Sequence, residues 1–505
     1  MPFIKVSAIK TPEVLTTTRT RLMQKPPPEQ RAFFKQIAEL AFTNPFSQER
    51  ERQDCALLNI SLGTLDIYQR SELIQALLLE QLPLNNFRIT DYQGSTQEHI
   101  KFAWLFYQFH EFQTQFNQFI EDQRLAGDKP IELPCAKALS QCFQHANFSI
   151  PETENFIALF YQLHRGFYFI STAISGDCPS IIELRMRLWN NIFTFNPQWY
   201  MDYLCGKMED FSTLLLGATG TGKSLVAHSI GCSGFIPFNL SKRCFKESFT
   251  RSFQAINLAQ YPDSLLESEL FGHKKGAFTG AIEHHQGLFA RCSEHGAVFI
   301  DEIGDIDIPT QVKLLNVIQD RTFCPVGSHE KMRFSGRVIS ATNRNIEQLR
   351  KDGHFRDDLY YRLCSDVIEV PSLQQRLQEN PEELKHLIAS LLKRVTDTPA
   401  PHLVSRIAKH IHITAPKHYA WPGNVRELEQ CIRRICLTGN YPFMQQLKQE
   451  GNHKQFILIE NSGESSAQSL LQNYCRFLYE RHNSYEAVAR ITQLDRRTAK
   501  KYIVD

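Results

Sequence analysis

The sequence predicts a multidomain α/β protein with a parallel-sheet core, a mainly helical region before it and a short helical end. Three observations point there. Residues from about 171 to 440 alternate short β-branched or aromatic runs with glycine-containing turns and helical patterns, which suits strands joined by crossover helices. Residues 1–170 are rich in Phe, Gln and Leu, poor in Gly, and carry no motif of a chemical site. From about 465 the chain is helical in pattern and locally basic. A length of 505 residues accommodates several such domains.

Composition narrows the functional classes. Hydrophobic residues make up 42% and charged residues 22%, an ordinary globular balance. Lys+Arg is 56 against Asp+Glu 54, a net charge of +2. That excludes a basic coat over the whole surface and leaves room for a local basic patch. The 13 cysteines are scattered without a CxxC pair, so neither a zinc module nor a disulfide scaffold is expected. They read as reduced thiols of a cytosolic protein. The opening MPFIKVSAIK lacks the apolar run of a signal peptide, and no stretch reaches the ~20 apolar residues of a membrane span. The expected location is cytoplasmic, with no membrane partner.

Within the first region, Phe109, Phe112, Phe116, Phe119 and Ile120 recur at three- and four-residue spacing and predict one face of a helix. Such a stripe is ordinarily core, each fully buried side chain contributing roughly 1.5–3 kcal/mol. Lys25-Pro26-Pro27-Pro28 reads as a stiff connector.

The central region carries the chemistry. Thr213–Leu216 is an apolar run suited to a buried strand. Gly217-Ala218-Thr219-Gly220-Thr221-Gly222-Lys223-Ser224 follows and fits G-x-x-x-x-G-K-[ST], with a helical pattern after it. Backbone N–H groups of such a loop cradle a phosphate, and the next helix turns its positive end to the same anion. Lys223 would reach the β- and γ-phosphates of ATP, and Ser224 would ligate Mg²⁺. A second apolar run ends in Asp301-Glu302. Asp301 suits Mg²⁺ through its water shell, and Glu302 suits a general base for the attacking water. A third run, Arg337–Ala341, ends in Thr342 and Asn343, placed either to contact the γ-phosphate or to end the strand in a turn.

Around these stand denser motifs: ESELFGHKKGAFTGA from Glu267 to Ala281, FRDDLYYRL from Phe355 to Leu363, and WPGNVREL from Trp421 to Leu428. In this order they resemble the central domain of bacterial enhancer-binding proteins, the AAA+ ATPases that activate sigma-54 RNA polymerase. The resemblance covers roughly residues 172–440 and implies an AAA+ P-loop NTPase core with a helical lid. It makes Gly276, Ala277, Phe278, Thr279, Gly280 and Ala281 the loop that touches sigma-54, with Phe278 and Thr279 at its tip. Asn257 resembles the asparagine that grips Glu302 and relays nucleotide state to that loop. Arg356 and Arg362 both resemble arginine fingers reaching a neighbouring subunit's γ-phosphate, and the resemblance does not separate them. Arg426 resembles the sensor arginine of the lid. The run Val370–Arg376 departs from the family's usual Pro-Pro-Leu-Arg-Glu-Arg.

At the C-terminal end, Asn483-Ser-Tyr-Glu486 has the spacing of a helix N-terminus, Ala487, Val488 and Ile491 give that helix an apolar face, and Asp495 caps a second, Arg496–Ile503. The two, joined by a tight turn, look similar to the helix-turn-helix that ends members of the same family. Arg496, Arg497, Lys500 and Lys501 would contact DNA there. The expected division is therefore a mainly helical N-terminal region at 1–170, the AAA+ domain at 171–395, the lid at 396–440, a linker at 441–469 and the helix-turn-helix at 470–505. The expected function is a sigma-54-dependent activator that hydrolyses ATP as a homo-oligomeric ring, a hexamer. It would act on closed-promoter sigma-54 RNA polymerase while bound to upstream double-stranded DNA. Two alternatives compete with it. One is an AAA+ remodelling ATPase outside transcription. The other is a DNA-binding regulator that binds ATP without activating.

Overall fold

The computed structural model describes residues 26–82, 87–396, 398–416, 418–443, 467–482 and 484–504. The part of the expected linker from 444 to 466 lies outside the described residues, as does Asn483. The first helices are α1 (Pro28–Ala41), α2 (Gln48–Leu58), α3 (Ile67–Gln81), α4 (Gly94–Glu111), α5 (Gln113–Ala126) and α6 (Ala136–His145). Pro28 was expected in a connector and instead opens α1, where its missing N–H costs no helical bond. The aromatic stripe expected on one helix is split between two. Phe112, at φ −96° and ψ 8°, ends α4 and starts α5. The break lets α4 pack on α1 while α5 packs on the long helix that follows, and Phe112, Phe116, Phe119 and Ile120 are all buried.

That long helix, α7 (Ile150–Ala173), starts with a capping box in which Ser149 and Glu152 satisfy each other's backbone N–H. It runs through the expected boundary at 170, and α8 (Pro179–Phe193) and the single turn α9 (Pro197–Trp199) follow. One apolar core joins α1, α4, α5, α6 and α7 to Cys232, Ile236, Phe238, Phe245 and Phe249. The helical region and the sheet domain are thus built on continuous packing.

The sheet domain contains β1 (Thr213–Leu216), α10 (Lys223–Gly231), β2 (Phe238–Asn239), β3 (Cys244–Phe245), β4 (Phe253–Asn257), α11 (Asp263–Phe271) and α12 (Leu288–Arg291). It continues with β5 (Ala297–Asp301), α13 (Ile308–Asp320), β6 (Thr322–Phe323), β7 (Met332–Arg333), β8 (Arg337–Thr342), α14 (Ile346–Lys351), α15 (Asp357–Leu363) and β9 (Asp366–Glu369). Five strands form the main sheet in the order β4-β5-β8-β1-β9, every pair parallel. Both faces are covered, as a parallel sheet requires. Leu214, Val298, Ile300 and Val338 face one core. Leu215, Phe299 and Ile339 face the other, with Ile170 of α7 and Leu188 of α8. From β1 the chain crosses to β4 at one edge and returns through β5 and β8, past β1, to β9, so the connections that leave the neighbouring strands β1 and β8 run in opposite directions across the sheet. A crevice opens there at the carboxyl ends of the strands.

The helices after the sheet are α16 (Leu373–Glu379), α17 (Glu383–Thr396), α18 (Pro401–Thr414) and α19 (Asn424–Thr438), beginning ahead of the lid boundary expected at 396. The Arg376–Glu383 pair is buried here. Glu383 also accepts the backbone N–H of Asp177 at 3.0 Å, and Arg376 donates to the Ser175 carbonyl, so the turn after α7 is tied to this layer. The extra backbone partners are what a buried ion pair needs to offset desolvation.

The chain divides into two compact units, one comprising the residues to Ala408 with Ala420–Ile432, the other Lys409–Tyr419 with the residues from Arg433. In the second, α20 (Ala467–His482), α21 (Tyr485–Thr492) and α22 (Arg496–Val504) close on Cys475, Leu478, Val488 and Ala499. Among the described residues no helix is long and apolar enough to cross a membrane.

Two histidines in the helical region bear on its stability. Burial, with Arg50 nearby, holds His110 down at about 4. Burial, with His110 nearby, holds His164 down at about 3. Both stay neutral in the folded chain, whereas unfolding restores values near 6.5. The unfolded state therefore binds more protons below pH 6.5, and stability falls as pH falls from 6.5 toward 4, by up to roughly 1.4 kcal/mol per pH unit per histidine. Urea midpoints measured between pH 7.5 and 5 should drop on acidification, with a shallower slope in His164→Phe. An unchanged slope in that variant would remove His164 from this role.

Candidate functional site

The crevice beside β1 collects residues from the ends of several strands. β1 passes into Gly217–Gly222, and α10 begins at Lys223. Gly222 has φ +106°, a left-handed conformation that lets the loop curl into the helix at little steric cost to glycine. Gly220 serves a close approach. A Cβ there would lie 2.2 Å from the Gly423 carbonyl oxygen, so only glycine admits the turn that precedes α19. The Lys223 ammonium donates to the Gly217 carbonyl at 2.8 Å and the Ala218 carbonyl at 3.3 Å. Thr221 donates to the Ala218 carbonyl at 2.9 Å. Ser224 is exposed, and its hydroxyl makes no hydrogen bond among the described residues.

Parallel register places Asn257 beside Asp301 and Thr342 beside Leu216, so the polar strand ends converge on the loop. Burial lowers the Lys223 pKa against the pull of Glu302 and Asp301. Burial also raises Asp301, opposed chiefly by Lys223. Glu302 is raised by burial as well, opposed by the Asn343 N–H. The charge of Arg426, exposed at the start of α19, lowers Lys223 and Asp301 alike. Two carboxylates and the Lys223 ammonium thus act on one another at the mouth of the phosphate loop.

Asn257 departs from expectation. Its amide lies 3.3 Å from an Asp301 oxygen and its carbonyl accepts the Ala259 N–H, so it does not grip Glu302. The strand register brings the nearer carboxylate within its reach. Glu302 leaves β5 at φ +58° and turns to accept the Asn343 N–H at 3.3 Å. Asn343 in turn donates to the Thr219 hydroxyl at 2.7 Å, linking the acidic pair to the phosphate loop. Thr342 is buried and its hydroxyl accepts the Arg344 N–H, so of these two polar residues it is Asn343 that reaches the loop.

Asn424 escaped the sequence reading. Its amide donates to the Thr219 carbonyl at 3.0 Å, and its own carbonyl accepts the Leu373 N–H at 2.9 Å. The Arg426 N–H adds a bond to the Gly220 carbonyl at 3.3 Å. The available signal was Pro-Gly-Asn, since asparagine tolerates the φ of +51° observed at Asn424. The two candidate fingers differ. Arg356 is half-buried and bidentate on Asp358, at 3.0 and 2.7 Å. Arg362, exposed on α15, makes no ion pair among the described residues.

The GAFTGA loop is pinned at its base by backbone pairing of His273 with His285. It closes through the Gly276 N–H on the Ala281 carbonyl at 2.8 Å. Gly276 and Gly280 have φ of +79° and +102°. Phe278 rests its ring 4.9 Å from that of His273, while Thr279 is exposed and Ala281 buried. In the second unit, Asp495 caps α22 by accepting the N–H groups of Arg497 and Thr498. Arg497, Lys500 and Lys501 are exposed, whereas Arg496 is paired with Glu486 at 3.0 Å.

Residues 205–369 match the family described as "Sigma-54 interaction domain", and residues 375–455 match "AAA+ ATPase lid domain". The transcriptional regulatory protein GlrR of Escherichia coli is 41% identical over 228 residues, 44% of this chain and 47% of that protein. The sigma54-dependent transcriptional activator SfnR of Pseudomonas putida is 37% identical over 283 residues, 55% of this chain and 72% of that protein. The chain belongs to the sigma-54-dependent transcriptional activators. It spans about half the length of GlrR, and the helical region before the interaction domain lies outside both family matches. Among solved structures, NtrX from Brucella abortus in complex with ATP has a TM-score of 0.39 and 19% identity, covering 73% of this chain and 80% of that one. That likeness is too loose to carry residue correspondences.

For this sigma-54 activator the contact of Gly220 with the lid turn yields a direct test. Gly220→Ala adds a methyl where a carbonyl oxygen sits and holds alanine at an unfavourable φ of +79°. It should lower the affinity for a fluorescent ADP analogue about tenfold or more while leaving the circular dichroism spectrum intact. Unchanged affinity would show that the lid turn does not shape the phosphate loop.

Proposed function

We propose that this chain binds ATP with Mg²⁺ in the crevice beside β1, hydrolyses it in a homo-oligomeric ring, and remodels sigma-54 RNA polymerase. The observation that carries this reading is the hydrogen-bonded path from Glu302 through Asn343 to Thr219. It joins the acidic strand end to the phosphate loop, in a chain that also displays GAFTGA. The donor set suits a magnesium nucleotide. Among the described residues the exposed Ser224 has its hydroxyl unengaged, Asp301 stands at the end of β5, and Lys223 is held on loop carbonyls that a phosphate would replace. Mg²⁺ would be held by Ser224 and, through water, by Asp301, and it would supply charge neutralisation on the phosphates.

The protein's part is positioning and electrostatics. Lys223 and the N–H groups of Gly217–Gly222 hold the phosphates, and Arg426 closes from the lid. Glu302, aimed by its bond to Asn343, takes a proton from the attacking water. Arg362 is the finger we assign, because Arg356 is already committed to Asp358 within its own chain. Phe278 and Thr279 meet sigma-54. Arg497, Lys500 and Lys501 on α22, with Arg496 once it leaves Glu486, contact upstream double-stranded DNA. A hexameric ring presents several such weakly charged readers together, which supplies avidity that one copy lacks. Such an activator acts in the cytoplasm.

Burial places the loss of Glu302 activity on the acid side at a higher pH than an ordinary glutamate. ATP turnover should fall as pH drops through that raised value, because the base must be unprotonated. Glu302→Gln and Arg362→Ala should bind ATP normally and lose turnover by about 10³-fold or more, with Arg356→Ala affected far less. Normal turnover in either of the first two would cancel the corresponding role.

The sigma-54 step is tested by capture of purified sigma-54 in the presence of an ATP-hydrolysis transition-state mimic. The wild-type chain should retain sigma-54, and Thr279→Ala should lose it while ATP hydrolysis persists. Retention by Thr279→Ala, with promoter opening intact, would reject GAFTGA as the contact.

A further inference from the structure

A cavity of about 190 Å³ lies among the helices before the sheet, apart from the residues that face the phosphates. Its wall includes Phe102 and Phe106 of α4, Phe160 and Phe167 of α7, and Trp189 of α8. Protein interiors are close-packed and keep few voids larger than a water molecule, while an apolar cavity of about 150 Å³ accepts a benzene ring. This one has room for a single substituted ring. A neighbouring hollow of about 220 Å³ shares Pro45, Ile67, Tyr68, Phe167 and Ser171 with it and is rimmed by Arg185. Tyr68 is 49% exposed, so this side leads to solvent past a cation.

Among the described residues one charged side chain lines the cavity. Arg50 sets its Nε 2.8 Å from Asp54, whose other oxygen is taken by Arg70 at 3.0 Å. Arg70 has a further acceptor in the Leu65 carbonyl. The terminal nitrogens of Arg50 have no hydrogen-bond acceptor among the described residues, although its side chain is only 7% exposed. His110 and His164 also line the wall and stay neutral. Among the described residues no carboxylate does. A sequestered guanidinium that shares the Asp54 carboxylate with Arg70 and lies beside the Phe106 ring calls for an anionic head on an apolar body.

The helix that forms one wall also holds the phosphate-loop helix. α7 presents Phe160, His164, Phe167 and Ser171 to the cavity, at the spacing of one helical face. From another face the fully buried Arg165 donates to the carbonyls of Cys232 at 2.6 Å and Gly234 at 2.7 Å, just past the end of α10. The Ser229 hydroxyl of α10 returns a bond to the Phe169 carbonyl at 3.2 Å.

We propose that this cavity binds a small monocarboxylate with a one-ring or equally compact apolar body, its carboxylate on Arg50, and that occupancy shifts nucleotide affinity through α7 and α10. The coupling half rests on the nucleotide reading above, and the binding half stands without it. The test uses the full chain with benzoate, cyclohexanecarboxylate and the neutral benzyl alcohol as probes, followed by calorimetry. Both carboxylates should bind saturably and benzyl alcohol about tenfold more weakly. Arg50→Met should erase that preference. Leu163→Trp, which fills the cavity from α7, should abolish binding with the thermal transition retained. No binding by any probe, or equal binding of acid and alcohol in wild type, overturns the site. Coupling is reciprocal by necessity. Saturating ADP should therefore change the benzoate constant about fivefold or more, and benzoate should change the ADP constant by the same factor. ADP that binds without altering the benzoate constant overturns the coupling and leaves the nucleotide site standing. ADP that does not bind at all overturns the nucleotide reading itself.

Discussion

The arrangement depends on how both ends of α10 are held. Its first turn is the exit of the phosphate loop, and a helix start is useful for binding anions only if the helix cannot shift. The far end is secured by Arg165, buried and stacked 4.4 Å over the Tyr161 ring. That guanidinium satisfies the carbonyl of Cys232, which caps the helix, and that of Gly234 two residues on, at the pole where a cation is favoured. The cation comes from α7, so a helix outside the sheet secures the element on which phosphate binding turns.

The crevice itself is governed by opposed charges in a half-buried setting. Asp301 and Glu302 are raised by burial and Lys223 is lowered; Lys223 moderates both carboxyls and they moderate it, while the Asp301 charge raises Glu302 further. Such a group is sensitive to a polyanion and its counter-ion, because either changes the balance at short range and in low dielectric. The Glu302–Asn343–Thr219 path and the Asn424 bonds converge on one threonine of the loop. Strand end, loop and lid therefore share a small set of hydrogen bonds, a suitable basis for movements that follow nucleotide state.

The helical region belongs to the same mechanical unit. α7 and α8 cover one face of the sheet, and the turn after α7 meets the buried Arg376–Glu383 pair. The phenylalanines that dominate the composition of this region are largely buried core, yet several also surround the cavity beside Arg50. Packing and recognition therefore draw on the same residues.

Local sequence determined much of the site. Gly217–Ser224, Asp301-Glu302 and GAFTGA are contiguous, and loop geometry, strand ends and turn residues act over a few positions, so their chemistry is readable without a fold. The helical character of the first region was also legible, from periodicity. Only the tertiary structure decided what depends on register and long-range packing. It set Asn257 against Asp301 instead of Glu302, divided the aromatic stripe at Phe112, and brought Asn424 onto Thr219. It also placed Arg165 on α10 and left Arg50 short of acceptors on a cavity wall. The reason is physical. A motif constrains its own backbone, whereas the partner of a polar side chain is chosen by whichever distant segment the packing of apolar faces brings within about 3 Å.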